Sequence, residues 1–151
     1  MGPSKLKKAL HFALLYLVVR GVDAADITSK NETFSVTFPE GFSIVKASPV
    51  EDFEIYRISK GTRAFVVVYI GNQPTFPKQV ASPTSQVRML SANGVQILSE
   101  WQSTVLIHRE LLVDFGAGSR WPASLHAWTS VTTPSDVVVA DQILLSIHAR
   151  N

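Results

Sequence analysis

The sequence predicts an α+β domain, an antiparallel sheet of about six or seven strands packed against a C-terminal helix as a two-layer sandwich. Three observations lead there. Short stretches that alternate apolar and polar residues recur from Thr33 to Val131, separated by Gly, Pro and Asn turn signals. One stretch of helical spacing follows, after Thr133-Pro134. The composition is that of one globular domain: 151 residues, 46% hydrophobic and 17% charged, with no cysteine. Without cysteine there is no disulfide scaffold, thiolate metal cluster or thiol nucleophile, so stability must come from an apolar core.

The first 24 residues read as an address. Lys5, Lys7 and Lys8 precede an apolar run from Ala9 to Val19, and Val22-Asp23-Ala24 places a signal-peptidase cut before Ala25. That run is 11 residues long, short of the roughly 20 that span a bilayer, so no stable membrane span is expected. The formal charge of the whole chain is +2. Removing 1–24 takes away four basic residues and Asp23, which leaves ten basic against eleven acidic residues, a charge of −1 over 127 residues. A nucleic-acid partner loses its support, because counterion release needs a clustered basic surface. The expected location is periplasmic or secreted, with residues 25–151 forming a single domain.

Within that domain, Phe34, Val36 and Phe38 alternate with Ser35 and Thr37, and Phe42 to Ala47 resumes the pattern after Pro39-Glu40-Gly41. These two stretches are expected to pair as a hairpin. Phe53 to Ser59 and Thr62 to Ile70 form a second hairpin around Lys60-Gly61, and the run Val66-Val67-Val68 marks an inner strand. Residues 71–86 carry Pro74, Pro77 and Pro83 and read as a loop. Ser85 to Leu90 is open between helix and strand, and Asn93-Gly94 is a turn leading into Val95 to Trp101. Val105 to Phe115 and Ala123 to Val131 are two long neighbouring strands around the loop Gly116 to Pro122. In the terminal helix Ser135 or Asp136 is the expected cap. Val137, Ala140, Ile143, Leu144 and Ile147 form its apolar stripe, and Asp141, Gln142 and Ser146 its polar face.

The segment FSVTFPEGF near the start of this domain and ADQILLSIH at its end resemble the PsbP-like superfamily, which includes DcrB-type bacterial envelope proteins. The resemblance implies a small α+β sandwich that binds another protein without catalysis. It carries over no metal or catalytic residue, and the lipid-anchoring cysteine of DcrB-type proteins is missing here.

Candidate chemistry is sparse. On a strand, His108, Glu110 and Asp114 share one face, and His126 is available from the neighbouring strand. Imidazole and carboxylate together can hold a metal or pass a proton. The alternative is a solvent-facing polar row opposite Val105, Ile107, Leu111 and Val113, with Arg109 at the edge of the core. His148 reads as a helix C-terminal residue favourable to the dipole. Glu51, Asp52 and Glu54 form an acidic patch without the spacing of a calcium loop. Gly116 to Arg120 lacks the P-loop pattern and reads as a hairpin loop, and Asn31-Glu32-Thr33 is a glycosylation acceptor only in a eukaryotic host. No G-x-S-x-G, H-E-x-x-H or Rossmann glycine pattern occurs.

Loop aromatics point instead to binding. Phe76 lies between Pro74 and Pro77, and Trp121 lies between Arg120 and Pro122. Trp and Arg are enriched at interface hot spots. The expected function is a non-enzymatic, exported protein-binding domain without a cofactor that grips its partner through Phe76, Arg120 and Trp121. One variant is a periplasmic immunity protein that neutralises a toxin. The other class is a small hydrolase or metal-binding protein built on His108, Glu110 and His126.

Overall fold

The computed structural model describes residues 27–30, 33–50, 52–79, 81–91, 94–116 and 121–150. The expected signal segment at 1–24, Asn31 and Glu32, Glu51, Asn93 and Arg120 lie outside the described residues.

Seven strands form one antiparallel sheet: β3 (Phe42–Val50), β4 (Phe53–Lys60), β5 (Arg63–Gly71), β6 (Ser85–Ser91), β7 (Gly94–Gln102), β8 (Ile107–Asp114) and β9 (Ser124–Val131). Their order across the sheet is β3-β4-β5-β9-β8-β7-β6. A smaller sheet sets β2 (Phe34–Phe38) between β1 (Ile27–Lys30) and β10 (His148–Ala149). The one helix among the described residues, α1, is Pro134–Leu145.

The expected pairings β4 with β5 and β8 with β9 are present, and β5 is an inner strand. The open stretch at Ser85 is a strand. The first expected hairpin does not form. The chain does turn after Phe38, with the Phe42 N–H donating to the Pro39 carbonyl. Beyond the turn, however, β2 bonds to β1 and β10 while β3 bonds to β4. β1, just ahead of β2 in the chain, takes one of its edges, and β10, distant in sequence and invisible to a local turn signal, takes the other.

One face of the large sheet carries the core. Ile58, Val66, Val68, Ile70, Leu111, Val113, Leu125 and Ala127 are buried there together with Phe34, Val36 and Phe38 of β2. The helix packs on β2, β5, β8 and β9. It buries Ala140, Ile143 and Leu144, and Ile147 just beyond its end is 2% exposed. Apolar burial at roughly 25 cal/mol per Å² makes this face the main source of stability.

Several details of the helix depart from expectation. Its N-cap is Thr133, whose hydroxyl accepts the Asp136 N–H at 3.2 Å, with Pro134 as first helical residue. Ser135 and Asp136 therefore sit inside the helix. Two residues of its expected polar face turn to the protein. Ser146 exchanges hydrogen bonds with the Thr37 backbone at 2.9 Å each way, and Asp141 pairs with Arg109 at 3.3 Å. His148 is an exposed residue of β10, paired with Ser35, so it does not cap the helix.

The turn into β7 depends on Gly94, which has φ +119° and whose added Cβ would lie 1.9 Å from the Asp114 carbonyl oxygen. Gly94→Ala is expected to destabilise the domain by at least about 3 kcal/mol, through strain and close contact together. Thr133→Ala is expected to cost about 1 kcal/mol by removing the cap. Urea denaturation of both variants measures this, and losses below about 0.5 kcal/mol in both would contradict the assignment.

A candidate functional site on the strap face

The sheet's other face mixes polar and aromatic side chains and is crossed by a strap. Because every pairing in the large sheet is antiparallel, β5 and β6 run in the same direction although three strands separate them. Residues 72–84 must therefore cross the sheet in width and in length. The width alone is four inter-strand spacings, about 19 Å. No helix makes this crossing among the described residues, so its polar backbone groups need partners elsewhere.

Those partners come from side chains of the sheet. Strand pairing aligns Trp101, His108 and Ser130 in one row and sets Glu110 beside Trp128 in the next. The Glu110 carboxylate, 0% exposed, accepts the Lys78 backbone N–H at 2.8 Å through Oε1. Trp101 Nε1 donates to the Ala81 carbonyl at 2.6 Å. The Phe76 ring stands edge-on over His126 at 5.5 Å, and the Lys78 ammonium lies 4.3 Å from the Trp128 ring centroid.

His108 and His126 complete the environment of Glu110. His108 Nε2 lies 2.6 Å from Oε1, and His126 Nε2 lies 3.3 Å from Oε2. Burial by itself would raise the carboxyl pKa. Hydrogen bonds from His108, His126 and the Lys78 backbone, with the charge interaction of His126, outweigh it and hold the group at about 2 instead of 4.5. An ionised carboxylate only accepts, so both imidazoles present Nε2–H to it. In neutral His108 that leaves Nδ1 as the acceptor for the Ser130 hydroxyl, 2.8 Å away. His126 Nδ1 has no partner among the described residues.

The predicted residues thus fall in two places. His108, Glu110 and His126 converge, but beneath the strap and not on a solvent-facing row: His108 is 4% and His126 1% exposed. The parity of the strand was readable and the cover was not, since a strap anchored by tertiary contacts leaves no local pattern. Asp114, on the same face, is exposed and accepts the Gly116 N–H. Among the described residues no group of three His, Cys, Asp or Glu side chains is arranged to hold a metal ion. On the core side, Arg109 joins Glu100 of β7 at 2.7 Å to Asp141 of the helix.

The second place is a groove at the end of the sheet where β5 stops. It has a volume of about 490 Å³ and is lined by Asp52, Phe53, Tyr69, Asn72, Gln73 and Trp121. Trp121 is 43% exposed, and its indole N–H donates to the Asp52 carbonyl at 3.3 Å. Phe53 and Tyr69 stack at 5.7 Å. Tyr69 Oη accepts the Gln73 N–H, and Asn72 Oδ1 accepts the Ala123 N–H. Phe76 is half-buried on His126 and does not line this groove. Of the acidic patch, Glu54 is engaged by Lys46 and the Tyr56 hydroxyl on the β3–β4 surface, while Asp52 lines the groove. Sequence reasoning reached Trp121 as a loop aromatic. It missed Phe53, Tyr69 and Ser130 because each reads as an ordinary strand residue until the register places it.

No protein-family model matches the chain, and no curated protein matches it in sequence.

The Glu110 geometry sets an acid dependence. Its pKa is about 2 when folded against 4.5 as the reference value. A lowered carboxyl pKa contributes stability that is complete above about pH 4.5 and lost as pH falls toward 2. The contribution is on the order of 3 kcal/mol. Glu110→Gln is expected to be less stable than wild type at pH 7, with the gap closing between pH 5 and pH 2. Urea melts across that range measure it, and a gap independent of pH would contradict the clamp.

Proposed function

We propose that the chain is an exported, non-enzymatic domain that binds another protein through the end of the sheet at which Trp121 stands. The observation that carries this reading is Trp121 itself, a large aromatic side chain 43% exposed and tied by its indole N–H to the Asp52 carbonyl, on the wall of a groove of about 490 Å³. A fixed, exposed Trp beside a groove has the character of an interface anchor, since it loses little freedom on binding and brings a large apolar area. The PsbP-like resemblance, with its α+β sandwich, and the leader at 1–24 support the same reading. The partner would then be an envelope component or, for an immunity protein, a secreted toxin. No helix among the described residues is long and apolar enough to cross a membrane.

The experiment is capture of partners from host envelope extract by the immobilised domain, comparing wild type with Trp121→Ala. Trp121→Ala is expected to lower recovery of the specific partner at least tenfold, corresponding to more than about 1.4 kcal/mol. Phe76→Ala is expected to lower it less, because Phe76 only seats the strap. Equal recovery by wild type and Trp121→Ala would overturn the reading.

A second reading, hydrolysis, is favoured by one specific observation. Ser130 is exposed, His108 Nδ1 is 2.8 Å from its Oγ, and Glu110 orients the imidazole at 2.6 Å from behind. That is the arrangement of nucleophile, base and orienting acid. In an ester substrate Oγ would add to the acyl carbon while its proton passes to His108 and on to the leaving alcohol, and water would then release the acid. A fluorophosphonate probe tests it. Labelling at Ser130 that disappears in Ser130→Ala is the result this reading requires, and an unlabelled wild-type protein would dismiss it.

A further inference from the structure

The floor of the Trp121 groove is made by inner strands. Phe53 opens β4, which pairs with β3 and β5, and Tyr69 lies in β5, which pairs with β4 and β9. With both edges of each strand occupied, a ligand cannot join the sheet as an added strand, so side chains must recognise it.

The side chains present are aromatic rings and donors. Trp121, Phe53 and Tyr69 supply the rings. Tyr69 Oη accepts from Gln73 N–H and retains its own hydroxyl proton, while Asn72 accepts through Oδ1 and retains both amide protons. The Gln73 amide adds two more donors. A polyproline II segment is the complementary object: its backbone makes no internal hydrogen bonds, its proline residues offer carbonyls without N–H groups, and its rings pack on aromatic walls. Asp52 is the only charged residue lining the groove among the described residues, and no described ion pair involves it. Its carboxylate complements a cation.

We infer that the groove beneath Trp121 takes an extended, proline-containing segment of the partner that carries a Lys or Arg beside Asp52. The inference rests on the partner being a protein and goes beyond it by naming the segment. Such a ligand loses little conformational entropy on binding, which suits a small site.

The test is an NMR titration of the domain with the peptide Ac-PPLPPRP-NH2. Saturable shifts are expected at the Trp121 indole and the Asn72 and Gln73 amides, with a Kd below about 1 mM. Trp121→Ala should weaken binding at least tenfold. Asp52→Asn should weaken it about threefold at low salt, and should not affect a peptide with Ala in place of Arg. A control peptide with every Pro changed to Ala should bind at least tenfold more weakly. Equal binding of the two peptides would overturn the inference, as would the same resonances moving with cellobiose but not with peptide. If the peptide fails to bind while Trp121→Ala still abolishes partner capture, the segment is wrong and the protein-binding reading stands. If Trp121→Ala leaves capture intact, the protein-binding reading itself fails.

Discussion

The strap that crosses the sheet face opposite the helix is fastened at its centre by one buried carboxylate. Glu110 gathers three N–H donors, from His108, His126 and the Lys78 backbone. A lone carboxylate in that position would cost several kcal/mol. Surrounded by donors it is stable as an anion, and each donor becomes expensive to remove. The strap needs this anchor because the topology makes it a long crossing with no helix. Its three prolines, Pro74, Pro77 and Pro83, lack backbone donors and so reduce the number of groups that must be satisfied. The Trp101 to Ala81 bond and the Phe76 ring on His126 supply two further points of attachment.

The two faces of the sheet therefore do different work. The helix face is apolar and stabilises the domain by burial of area. The strap face is held by specific polar bonds, and the first strap residues, Asn72 and Gln73, are also walls of the Trp121 groove. The shape of the proposed binding site thus depends on the same crossing that Glu110 fastens. His108 links Glu110 to a second neighbourhood, since it lines a cavity of about 260 Å³ with Ala81, Trp101 and Leu106.

Local pattern revealed much of this architecture and long-range pairing revealed the rest. Alternation and turn residues located β4, β5, β8 and β9, and the i, i+3, i+4 stripe located the helix. The hairpin expected at Pro39-Glu40-Gly41 failed because β1, just ahead of β2, and β10, far along the chain, occupy the two edges of β2. Cap choice failed by two or three residues because Thr133 precedes Pro134, whose fixed φ starts the helix earlier than Ser135 suggests. Strand parity put His108 and Glu110 on one face. Whether that face met solvent depended on a loop thirty residues earlier, with Lys78 reaching Glu110. Trp121 was legible because a ring in a Pro-containing loop is unusual, whereas Phe53 and Tyr69 became groove residues only through the register of β4 and β5.

The most direct test of the Glu110 anchor is hydrogen exchange at the Lys78 amide in the native protein. If the carboxylate holds the strap, this amide should be protected by a factor of at least about 10³, like those of the inner strands, although it lies in a loop. Exchange at the unprotected rate, together with the rest of residues 72–84, would show that the strap is not fastened there.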